Sequence, residues 1–482
     1  MSRLCLTLTE KTLQDCNRII LEYKESVDLI ELRVDYLEPS ELSKLVTFKA
    51  SIPTIITYRK ECDGGLYTGD ESTRISTLSN AIQGGAFSFI DLEADLIAPE
   101  LEIEVKKHGV RIIRSFHDFN GVPSNLSKVL LDIKRDSSEI PKAAVMINST
   151  KDLLEFYREV LSIKNEEKIV LGMGVYGFNT RLLAEKIGSY LTFSSKDGVI
   201  AAPGHVSPEI LNNTYNFRQI DKDTQIFGII GNPVMHTKSP FIHNRGYKTL
   251  GLNAIYVPFE TDNIELFLEL GTILDIKGFS VTVPFKNHII PLLGGITESV
   301  RAIGACNTVT FINGTWIGEN TDYTGFIKPL IRAYGLLKGI KVTVIGAGGA
   351  AKAAIYALKN EGADILILNR TESKAKELAT IFDSKYAPLN SSSRVLINEY
   401  SSVIVQTTNV GMHPLEHIDP MEFYSFKGTE YLYDIIYNPE KTLFLNRGLG
   451  LGCRVLNGWD MLLEQGYKQF KLFTGLDYPI NN

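Results

Sequence analysis

The first half of the chain contains eight short β-type runs with helical patterns between them. Helical patterns include LQDCNRIILEYKES, RISTLSNAIQGG and TRLLAEKIGSY. The β-type runs, all within about the first two hundred residues, are LCLTLT, LIELRVDYL, TIITYR, FSFIDLE, RIIRSFHDF, AAVMI, KIVLGMG and YLTFS. Eight strands that alternate with helices predict a (β/α)8 TIM barrel, an α/β fold. A doubly wound open sheet is the alternative, although it usually has fewer strands.

Polar and charged residues alternate along five of these runs. Glu31, Arg33 and Asp35 share one face of LIELRVDYL, since side chains alternate across a strand. A parallel barrel strand has one face against helices and the other towards the lumen, so these charges are predicted to lie inside the barrel near its C-terminal mouth. The same alternation occurs at Thr57 and Arg59, Asp91 and Glu93, Ser115 and His117, and Lys142, Ala144 and Met146.

A polar edge or a structural ion pair explains such a pattern on any one strand. On five strands together the pattern favours an active site, because buried charges are costly unless they pair and serve a function.

Three residue types in this set indicate a reaction class. Lys142 stands before the apolar AAVM, where burial favours the neutral, nucleophilic amine, although a single lysine is more often a surface residue with a buried stem. His117 is a candidate general acid or base. Arg33, Arg59 and Arg181 are candidates to bind a carboxylate. This combination suits Schiff-base chemistry on an oxo acid. A class I aldolase-like barrel would also use a lysine, but the motif around His117 disfavours it.

Motifs over residues 1–215 together resemble the type I 3-dehydroquinate dehydratases. They are ELRVD, TYR followed by DGG, DLE, SFHDF, PKAAVM, TR after the glycine-rich seventh strand, and APGH. The resemblance implies a Schiff base between Lys142 and the ketone of 3-dehydroquinate. His117 would remove the α-proton and then help water to leave, which gives 3-dehydroshikimate. The substrate contacts that it implies are Thr7, Glu31, Arg33, Arg59, Arg181 and His205. Ala201, His205 and Asp63 depart from the family, which usually has serine, glutamine and glutamate there.

A dinucleotide-binding pattern lies in the second half of the chain. Residues 341–379 read KVTVIGAGGAAKAAIYALKNEGADILILNRTESKAKELA, which is the order strand, glycine turn, helix and strand that a dinucleotide fingerprint needs. Glycine permits the tight turn and lets a pyrophosphate approach a helix N-terminus. The predicted cofactor-binding residues of this turn are Gly346, Ala347, Gly348, Gly349 and Ala350.

The end of the second strand indicates which cofactor binds. NAD sites usually place an acidic residue there. Here Asn369, Arg370 and Thr371 follow the strand, with Lys374 one turn later. Positive charge and hydroxyl donors suit a 2′-phosphate, so the sequence predicts NADP(H). A surface arginine at a strand end is the alternative.

Further motifs carry side chains suited to a hydroxylated substrate. GNPVMHTKSPFIHN contains Thr237 and Ser239, GFSVTVPFK ends in Lys286, and GENTDYTGF contains Asp322. A lysine beside an aspartate can polarise a ketone and pass a proton during hydride transfer. Taken singly, GNP and ENTD are also common turn sequences.

With GACNTV, DIIYNPEKTLFL and GWDMLLEQGYKQF, these motifs resemble shikimate dehydrogenase over about residues 226–482. The resemblance implies Lys286 and Asp322 as the catalytic pair, and Thr237 and Ser239 as ligands of the substrate carboxylate. The other substrate contacts that it implies are Thr282, Asn307, Gln465 and, nearby, Tyr437. The polar segment 212–225 lacks apolar periodicity and is the predicted domain boundary. The predicted domains are 1–215, a substrate lobe at 226–328 completed by 440–482, and a nucleotide lobe at 329–439.

The two resemblances together imply consecutive steps of the shikimate pathway in one chain, a lyase followed by an oxidoreductase. Two alternatives stay open: a dehydrogenase half that prefers quinate and NAD, and a regulatory protein that kept both folds but lost catalysis. Retention of Lys142, His117, Lys286 and Asp322 argues against the regulatory protein.

Composition excludes several other classes. A net charge of −6 gives no basic footprint for nucleic acid or an anionic membrane. Five scattered cysteines without a Cys-x-x-Cys pair indicate reduced thiols, and His236, His243 and His288 show no metal spacing. No apolar run is long enough to span a bilayer, and the strand-like N-terminus RLCLTLT leaves no room for a targeting peptide. We therefore expect a cytoplasmic enzyme with small-molecule substrates and no metal.

Overall fold

The structure is a computed structural model that describes residues 1–198 and 204–480. The chain divides into two compact units, Met1–Ile276 and Lys277–Asn482. Ala201, one of the three departures from the dehydratase motifs, lies outside the described residues. In the described part of the chain, no helix is both long enough and apolar enough to cross a membrane.

Eight parallel strands form the first sheet, and each corresponds to one of the eight β-type runs. They are β1 (Arg3–Leu8), β2 (Leu29–Arg33), β3 (Thr54–Thr57), β4 (Phe89–Glu93), β5 (Arg111–Asp118), β6 (Ile140–Met146), β7 (Ile169–Met173) and β8 (Leu191–Ser195). Each strand from β1 to β6 pairs with the next in the chain, and β8 pairs with β1. A parallel bridge between Lys168 and Ser189 links the starts of β7 and β8, so the barrel is nearly closed. The predicted barrel is confirmed.

Helices connect the barrel strands. They are α1 (Leu13–Tyr23), α2 (Pro39–Leu42), α3 (Glu71–Gln83), α4 (Pro99–Lys107), α5 (Leu126–Asp132), α6 (Thr150–Ser162) and α7 (Gly174–Leu182). The side chains of Thr12, Asp70 and Ser149 cap the N-termini of α1, α3 and α6, as their residue types favour.

The helix predicted over TRLLAEKIGSY is displaced in the structure. α7 begins directly after β7, and residues 183–188 are turns. Glycine makes this early start possible, because a Cβ atom on Gly177 would lie 2.5 Å from the carbonyl carbon of Gly172.

The barrel interior is built in layers along the strands. The apolar layer takes one residue from each strand: Cys5, Leu29, Ile55, Phe89, Ile113, Ile140, Ile169 and Leu191. Residues two positions later face the same way. They are Thr7, Glu31, Thr57, Asp91, Ser115, Lys142, Leu171 and Phe193. The barrel interior therefore changes from apolar to mostly polar between one layer of side chains and the next, towards the C-terminal mouth.

The first unit continues beyond the barrel. Its further elements are β9 (Gln225–Gly231), α8 (Ser239–Thr249), β10 (Ala254–Glu260) and α9 (Ile264–Ile273), and β9 pairs with β10 in parallel. α6 packs against α9 and α7 packs against β10, which explains why this compact unit extends to Ile276. The predicted domain bounds stay a prediction.

The polar segment between barrel and β9 is more ordered than its composition indicates. It contains a π-helical turn (Ile210–Thr214) and a 3-10 turn (Phe217–Gln219). Tyr215, Phe217 and Ile220 are buried there. Three apolar anchors in this segment are enough to hold it against the rest of the unit.

The second unit begins with a small set of strands. They are β11 (Ile276–Val281, whose first residue ends the first unit), β12 (Gly295–Ile296), β13 (Thr308–Ile312) and β14 (Thr315–Glu319), with helices α10 (Glu298–Ile303) and α11 (Asp322–Tyr334). β13 pairs with both β11 and β14 in antiparallel fashion, and β12 pairs with β14 in parallel.

A six-stranded parallel sheet follows. Its elements are β15 (Lys341–Ile345), α12 (Gly349–Asn360), β16 (Asp364–Asn369), α13 (Glu372–Ile381), β17 (Lys385–Pro388), α14 (Arg394–Glu399), β18 (Val403–Gln406), β19 (Tyr431–Asp434), α15 (Leu443–Gly450), β20 (Arg454–Leu456) and α16 (Trp459–Thr474). The order β17-β16-β15-β18-β19-β20 is that of a Rossmann fold, as predicted. α16 packs against α11.

Candidate active sites

A cavity opens at the C-terminal mouth of the barrel. Its volume is about 100 Å³. The lining residues are Thr7, Glu31, Arg33, Arg59, Asp63, Gly64, His117, Phe119, Lys142, Ala144, Leu171, Met173, Phe193 and His205. Except for Arg181, every residue predicted for the dehydratase site lines this cavity.

Lys142 is buried on β6 between a carboxylate and an aromatic ring. Its Nζ donates a hydrogen bond to Oδ2 of Asp91 at 2.8 Å. The same nitrogen lies 4.5 Å from the centroid of the Phe193 ring, within the range of a cation–π contact. β4 and β8 therefore hold the lysine amine from two sides, at the wall of the cavity.

Arg59 holds Asp91 in place. Its guanidinium lies 2.8 Å from Asp91 and 3.1 Å from Glu93, and donates to Ser115 Oγ at 2.9 Å. Ser115 in turn donates to Asp91 at 2.6 Å. Burial opposes ionisation of Asp91, but Arg59 and then Lys142 hold the pKa of its carboxyl well below the usual range. The sequence predicted that Arg59 binds a substrate carboxylate; in the structure, protein carboxylates already surround it.

A second buried arginine extends this ionic network below the cavity. Arg74 of α3 donates to Glu93 at 2.8 Å, to Glu71 at 2.6 Å and to the carbonyl of Tyr58 at 2.6 Å. Its side chain has no exposure to solvent. Glu93 thus pairs with both Arg59 and Arg74, so neither buried arginine lacks a carboxylate partner.

His117 of β5 lies at the cavity wall, where its surroundings favour the neutral imidazole. Burial, followed by the positive charges of Arg59 and Lys142, lowers the pKa of its imidazole well below the usual value. Phe119 stacks on the ring, with the centroids 6.3 Å apart. Nδ1 of His117 has no hydrogen-bond partner among the described residues. A neutral histidine with an uncommitted nitrogen at a cavity wall can accept a proton.

Glu31 and Arg33, the cavity residues on β2, are held in place by hydrogen bonds. Two hydroxyl groups bond to Glu31, and the carboxylate of Asp35 bonds to Arg33. Glu31 accepts hydrogen bonds from Thr7 and Thr57, both at 2.9 Å. Arg33 donates to both carboxylate oxygens of Asp35, at 2.9 and 2.6 Å. Asp35 also accepts from the backbone of Leu66, so it ties Arg33 to the third loop. β2 ends at Arg33, and Asp35 lies in the turn that follows.

Arg181 and His205 lie together at one side of the mouth. Desolvation lowers the pKa of Arg181 to about 9. Burial, followed by the charge of Arg181, lowers the pKa of His205 well below its usual value. A Cβ atom on Gly204 would be 3.6 Å from Arg181 Nε, which places the guanidinium beside the backbone of the motif that ends in His205.

Asp63 replaces the longer glutamate of the family at the cavity wall. Its carboxylate accepts from Cys62 Sγ at 3.4 Å and lies 3.8 Å from Lys60 Nζ. The shorter side chain is therefore engaged with its own loop.

The predicted dehydrogenase pair comes together in the second unit. Lys286 Nζ donates to Asp322 Oδ2 at 2.5 Å, and Asn307 Nδ2 donates to Asp322 Oδ1 at 2.8 Å. Asn307 also accepts from the backbone of Thr321 at 2.7 Å. Asp322 is the first residue of α11, so its carboxylate lies at the positive end of a helix.

Three other predicted residues lie on different segments of this unit. Gln465 of α16 donates to the Leu462 carbonyl and packs against Gly325 of α11, where a Cβ atom would be 2.7 Å from Gln465 Cβ. Tyr437 packs edge-on against Trp459, the first residue of α16. Thr282 lies four residues before Lys286, in the segment after β11.

Sequence reasoning missed Gln469. Its amide nitrogen donates to the Thr308 hydroxyl at 3.0 Å and its amide oxygen accepts from Ser280 at 3.0 Å. The side chain is buried and braces Asn307, whose carbonyl it also contacts. The only signal for it was its place in GWDMLLEQGYKQF, one turn after Gln465.

Thr237 lies in the loop between β9 and α8 of the first unit, and Ser239 is the first residue of α8. The Thr237 hydroxyl donates to Ser239 Oγ at 3.1 Å and accepts from the Ser239 backbone at 3.2 Å. The backbone of Val234 donates to Glu260 at 3.0 Å. These bonds preorganise the two hydroxyl groups, which lie three and five residues after the buried Val234.

The glycine turn after β15 has the geometry of a nucleotide site. Gly346 has a φ of 119°, and a Cβ atom there would lie 2.5 Å from Thr407 Oγ1, so glycine is required. A Cβ atom on Gly348 would meet nothing within 4 Å. The N-terminus of α12 is therefore open to an anion such as a pyrophosphate, with Ala347, Gly349 and Ala350 completing the turn.

Arg370, Thr371 and Lys374 are exposed at the carboxyl end of β16. Asn369 donates its side-chain amide to the carbonyl of Thr371 at 2.8 Å. Within the described residues, no carboxylate forms an ion pair with Arg370 or Lys374. Two unpaired cations beside a nucleotide-type turn fit a 2′-phosphate.

Family models match three parts of the chain. The type I 3-dehydroquinase model matches residues 4–222, the shikimate dehydrogenase substrate-binding domain matches 229–309, and the shikimate/quinate 5-dehydrogenase model matches 331–418. A chloroplastic bifunctional 3-dehydroquinate dehydratase/shikimate dehydrogenase from Arabidopsis thaliana is 34% identical, over 94% of this chain and 78% of its own. The chain belongs to this bifunctional family.

Two further similarities concern the dehydrogenase half. An NADP(+) shikimate dehydrogenase from Shouchella clausii is 40% identical, over 52% of this chain and 94% of its own. The solved shikimate dehydrogenase of Aquifex aeolicus is 40% identical, with a TM-score of 0.50, and covers 54% of this chain and 96% of its own. This member of the family is thus a lyase joined to an NADP-type oxidoreductase in the shikimate pathway. Membership excludes the aldolase-like alternative.

Proposed function

We propose that Lys142 and His117 share the chemistry of the dehydratase barrel. The observation that carries this proposal is their position on the wall of one cavity, with the lysine amine held by Asp91 and the histidine kept neutral. The amine of Lys142 attacks the ketone carbon of 3-dehydroquinate and expels water to form an imine. His117 then takes the α-proton and returns it to the departing hydroxyl, which leaves as water. Hydrolysis of the imine releases 3-dehydroshikimate and the free lysine.

The remaining cavity residues, and Arg181 beside His205 at the mouth, are proposed to orient the substrate. Arg181 binds its carboxylate, which offsets the cost of burying the guanidinium. Glu31, Thr7 and His205 contact its hydroxyl groups, and Arg33 contributes a fixed positive charge. Since Arg59 is surrounded by Asp91, Glu93 and Ser115, we assign it the role of holding Asp91 against Lys142.

In the second half, NADP(H) supplies or accepts the hydride when it is bound. We propose that Gly346, Gly348 and Gly349, with Ala347 and Ala350, hold its pyrophosphate. Arg370 and Lys374 pair with the 2′-phosphate, and Asn369 and Thr371 contribute hydrogen bonds. Unpaired cations at the end of β16 support NADP(H) rather than NAD(H).

Lys286 and Asp322 are the proposed proton-transfer pair of the dehydrogenase. Lys286 donates a proton to the ketone oxygen of 3-dehydroshikimate during its reduction, and Asp322 keeps the lysine charged and oriented. Thr237 and Ser239 bind the substrate carboxylate. The residues proposed to contact its hydroxyl groups are Thr282, Asn307, Tyr437 and Gln465.

Several broader expectations remain part of the proposal. The lobes span about 1–215, 226–328 with 440–482, and 329–439, as the sequence predicts. We propose a cytoplasmic enzyme, supported by cysteines that form no disulfide in the described residues. Imine chemistry and hydride transfer need no metal, and the negative net charge disfavours nucleic acid as a partner.

Borohydride trapping tests the dehydratase mechanism directly. Reduction of the imine in the presence of 3-dehydroquinate should fix the substrate carbon skeleton to the protein, with the added mass on the peptide that contains Lys142. Lys142→Arg keeps a cation beside Asp91 but cannot form the imine at that atom, so it should abolish trapping. Trapping that persists in this variant would show that another residue is the nucleophile.

A further inference from the structure

The dehydratase barrel and the first part of the dehydrogenase form one compact unit, which ends at Ile276. α6 and α7 belong to the barrel, and they pack against α9 and β10 of the dehydrogenase. These contacts bring the link between β10 and α9, residues 261–263, to the surface of the barrel.

Thr150 and Asp262 form a reciprocal pair of hydrogen bonds across this surface. The backbone of Thr150 donates to Asp262 Oδ1 at 3.0 Å, and the backbone of Asp262 donates to the Thr150 hydroxyl at 3.0 Å. Thr150 is the first residue of α6 and is fully buried. The first N–H groups of a helix have no partner within the helix, and a negative charge is favourable beside them. Asp262 therefore caps a barrel helix from the dehydrogenase side.

The two residues that precede this aspartate hold the loop between β9 and α8. The backbone of Thr261 donates to the carbonyl of Gly231 at 3.1 Å, and the Glu260 carboxylate accepts from the backbone of Val234 at 3.0 Å. Thr261, Glu260 and Val234 are all buried. The backbone of Thr237 in turn donates to the Val234 carbonyl at 3.2 Å. The segment that caps the barrel helix thus also holds the loop at two points.

A second contact crosses the same surface without reaching this loop. Arg158 of α6 forms an ion pair with Glu269 of α9, and the two side chains are 49% and 47% exposed. Within the described part of the chain, no hydrogen bond joins the Glu269 side chain to residues 231–239. This ion pair therefore provides a matched control for the reciprocal pair.

We propose that Thr150 and Asp262 are positioning residues for the dehydrogenase. Their hydrogen bonds fix the end of β10 against the barrel, and through Glu260 they hold the loop in the conformation that binds the substrate carboxylate. This inference rests on the proposed role of Thr237 and Ser239.

The positioning role predicts an effect on KM and not on kcat. A loop that is already ordered costs less free energy to order when a ligand binds. The substrate carboxylate is remote from the reacting ketone, so the loop contributes equally to ground-state and transition-state binding. Loosening the loop should therefore weaken binding without slowing the chemical step.

The test uses the full-length chain with Thr150→Val, which keeps the shape of the side chain and removes the hydroxyl. The KM for shikimate should rise by roughly two- to tenfold, the range for one hydrogen bond. The kcat of the dehydrogenase, its KM for NADP+ and the dehydration rate should stay unchanged, and unchanged dehydration also shows that the barrel is folded. Thr150→Ser restores the hydroxyl and should keep the KM of the wild type.

Asp262→Ala repeats the test from the other side of the contact and decides the matter even if Thr150→Val disturbs the barrel. It removes the carboxylate that caps α6, so it should raise the same KM by a similar factor. Asp262→Asn keeps an oxygen acceptor and should stay close to the wild type. Arg158→Gln, the matched control, should leave the KM for shikimate unchanged. The inference is overturned if Asp262→Ala leaves this KM unchanged, if Thr150→Val leaves it unchanged, or if Arg158→Gln raises it as much.

Thr237→Ala separates this inference from the proposed function. If Thr237→Ala leaves the KM for shikimate unchanged while the wild type is active, the loop does not bind the carboxylate, and the role of Thr237 is wrong. If Thr237→Ala raises that KM while Thr150→Val and Asp262→Ala do not, only the positioning role fails.

Discussion

The two candidate sites of this chain handle charge in opposite ways. In the barrel, Lys142 and Asp91 form an ion pair whose side chains are 5% and 1% exposed. In the second unit, Lys286 and Asp322 form an ion pair whose side chains are 27% and 11% exposed. The barrel pair is surrounded by further buried charges, whereas Lys286 and Asp322 are braced by the neutral amide of Asn307.

The difference follows from what each reaction needs. In the proposed mechanism, dehydration through an imine has no external cofactor, so the barrel must supply a nucleophile and a base from its own side chains. It does so by burial, which lowers the pKa of His117 and requires carboxylates to compensate Lys142 and Arg59. In the proposed dehydrogenase reaction NADP(H) supplies the hydride, so a more exposed lysine–aspartate pair would be sufficient to move one proton.

Removing each of the two lysines in turn should have the largest effect and is the strongest test of this comparison. Lys142→Ala should reduce dehydration by roughly 10⁴-fold or more, because the covalent route is lost. Lys286→Ala should reduce dehydrogenation and leave dehydration intact. Initial rates of both activities in each variant check this. Loss of both activities in either variant would mean that the two sites are not independent.

Removing the base should have the next largest effect. His117→Ala should slow dehydration by about 10²- to 10⁴-fold, the usual range for general acid–base catalysis, and leave the reduction of added 3-dehydroshikimate unchanged. Because burial lowers the pKa of His117, the wild-type dehydration rate should stay level as the pH falls through about 6.5. A fall in rate at that pH would contradict a neutral, buried imidazole.

In the second unit, Asp434 is a buried carboxyl whose pKa is raised, in contrast to Asp91 of the barrel. Desolvation raises its pKa from 3.8 to about 7, while Thr442 and the backbone of Ile436 donate hydrogen bonds to it. Between these two values the folded state keeps a proton that the unfolded state has released. Stability should therefore fall as the pH rises through this window, by about 4 kcal/mol in total.

Asp434→Asn should remove this pH dependence without changing kcat of the dehydrogenase. Denaturant unfolding of both proteins at about pH 5 and about pH 8 measures the pH dependence of the free energy of unfolding. The variant should gain stability relative to the wild type at the higher pH. Equal pH dependence in the two proteins would show that Asp434 ionises normally in the fold.

The smallest effect concerns the exposed cations that are proposed to select the cofactor. Arg370→Ala should raise the KM for NADPH by about ten- to a hundredfold and that for NADH little, because charge-assisted hydrogen bonds worth roughly 1.5–3 kcal/mol are lost. Lys374→Ala should act in the same direction but more weakly. Asn369→Asp should add repulsion against the phosphate and favour NADH further.

Kinetics with both nucleotides, at a fixed concentration of the ketone, provide the measurement. Dehydration is the internal control, since none of these residues lies in the barrel. If the wild type uses NADH as well as NADPH, or if Arg370→Ala weakens both equally, the NADP(H) assignment fails.

The sequence by itself determined the two architectures and most of the residues that face the barrel cavity. Both depend on local periodicity: alternation along eight runs predicts which residues face inwards, and the pattern of strand, glycine turn and helix predicts the nucleotide fold. Gly346 could be predicted for the same reason, because its turn requires a backbone conformation that only glycine adopts readily.

Only the tertiary structure decided which charges pair. Asp91 was visible as an inward residue, but its bonds to Lys142, Arg59 and Ser115 join three different strands. Arg74 lies on the predicted helix RISTLSNAIQGG, but nothing in that pattern indicated that it would reach Glu93. Periodicity reports the direction of a side chain within its own element, whereas pairing depends on distances between elements, and those are set by how the elements pack.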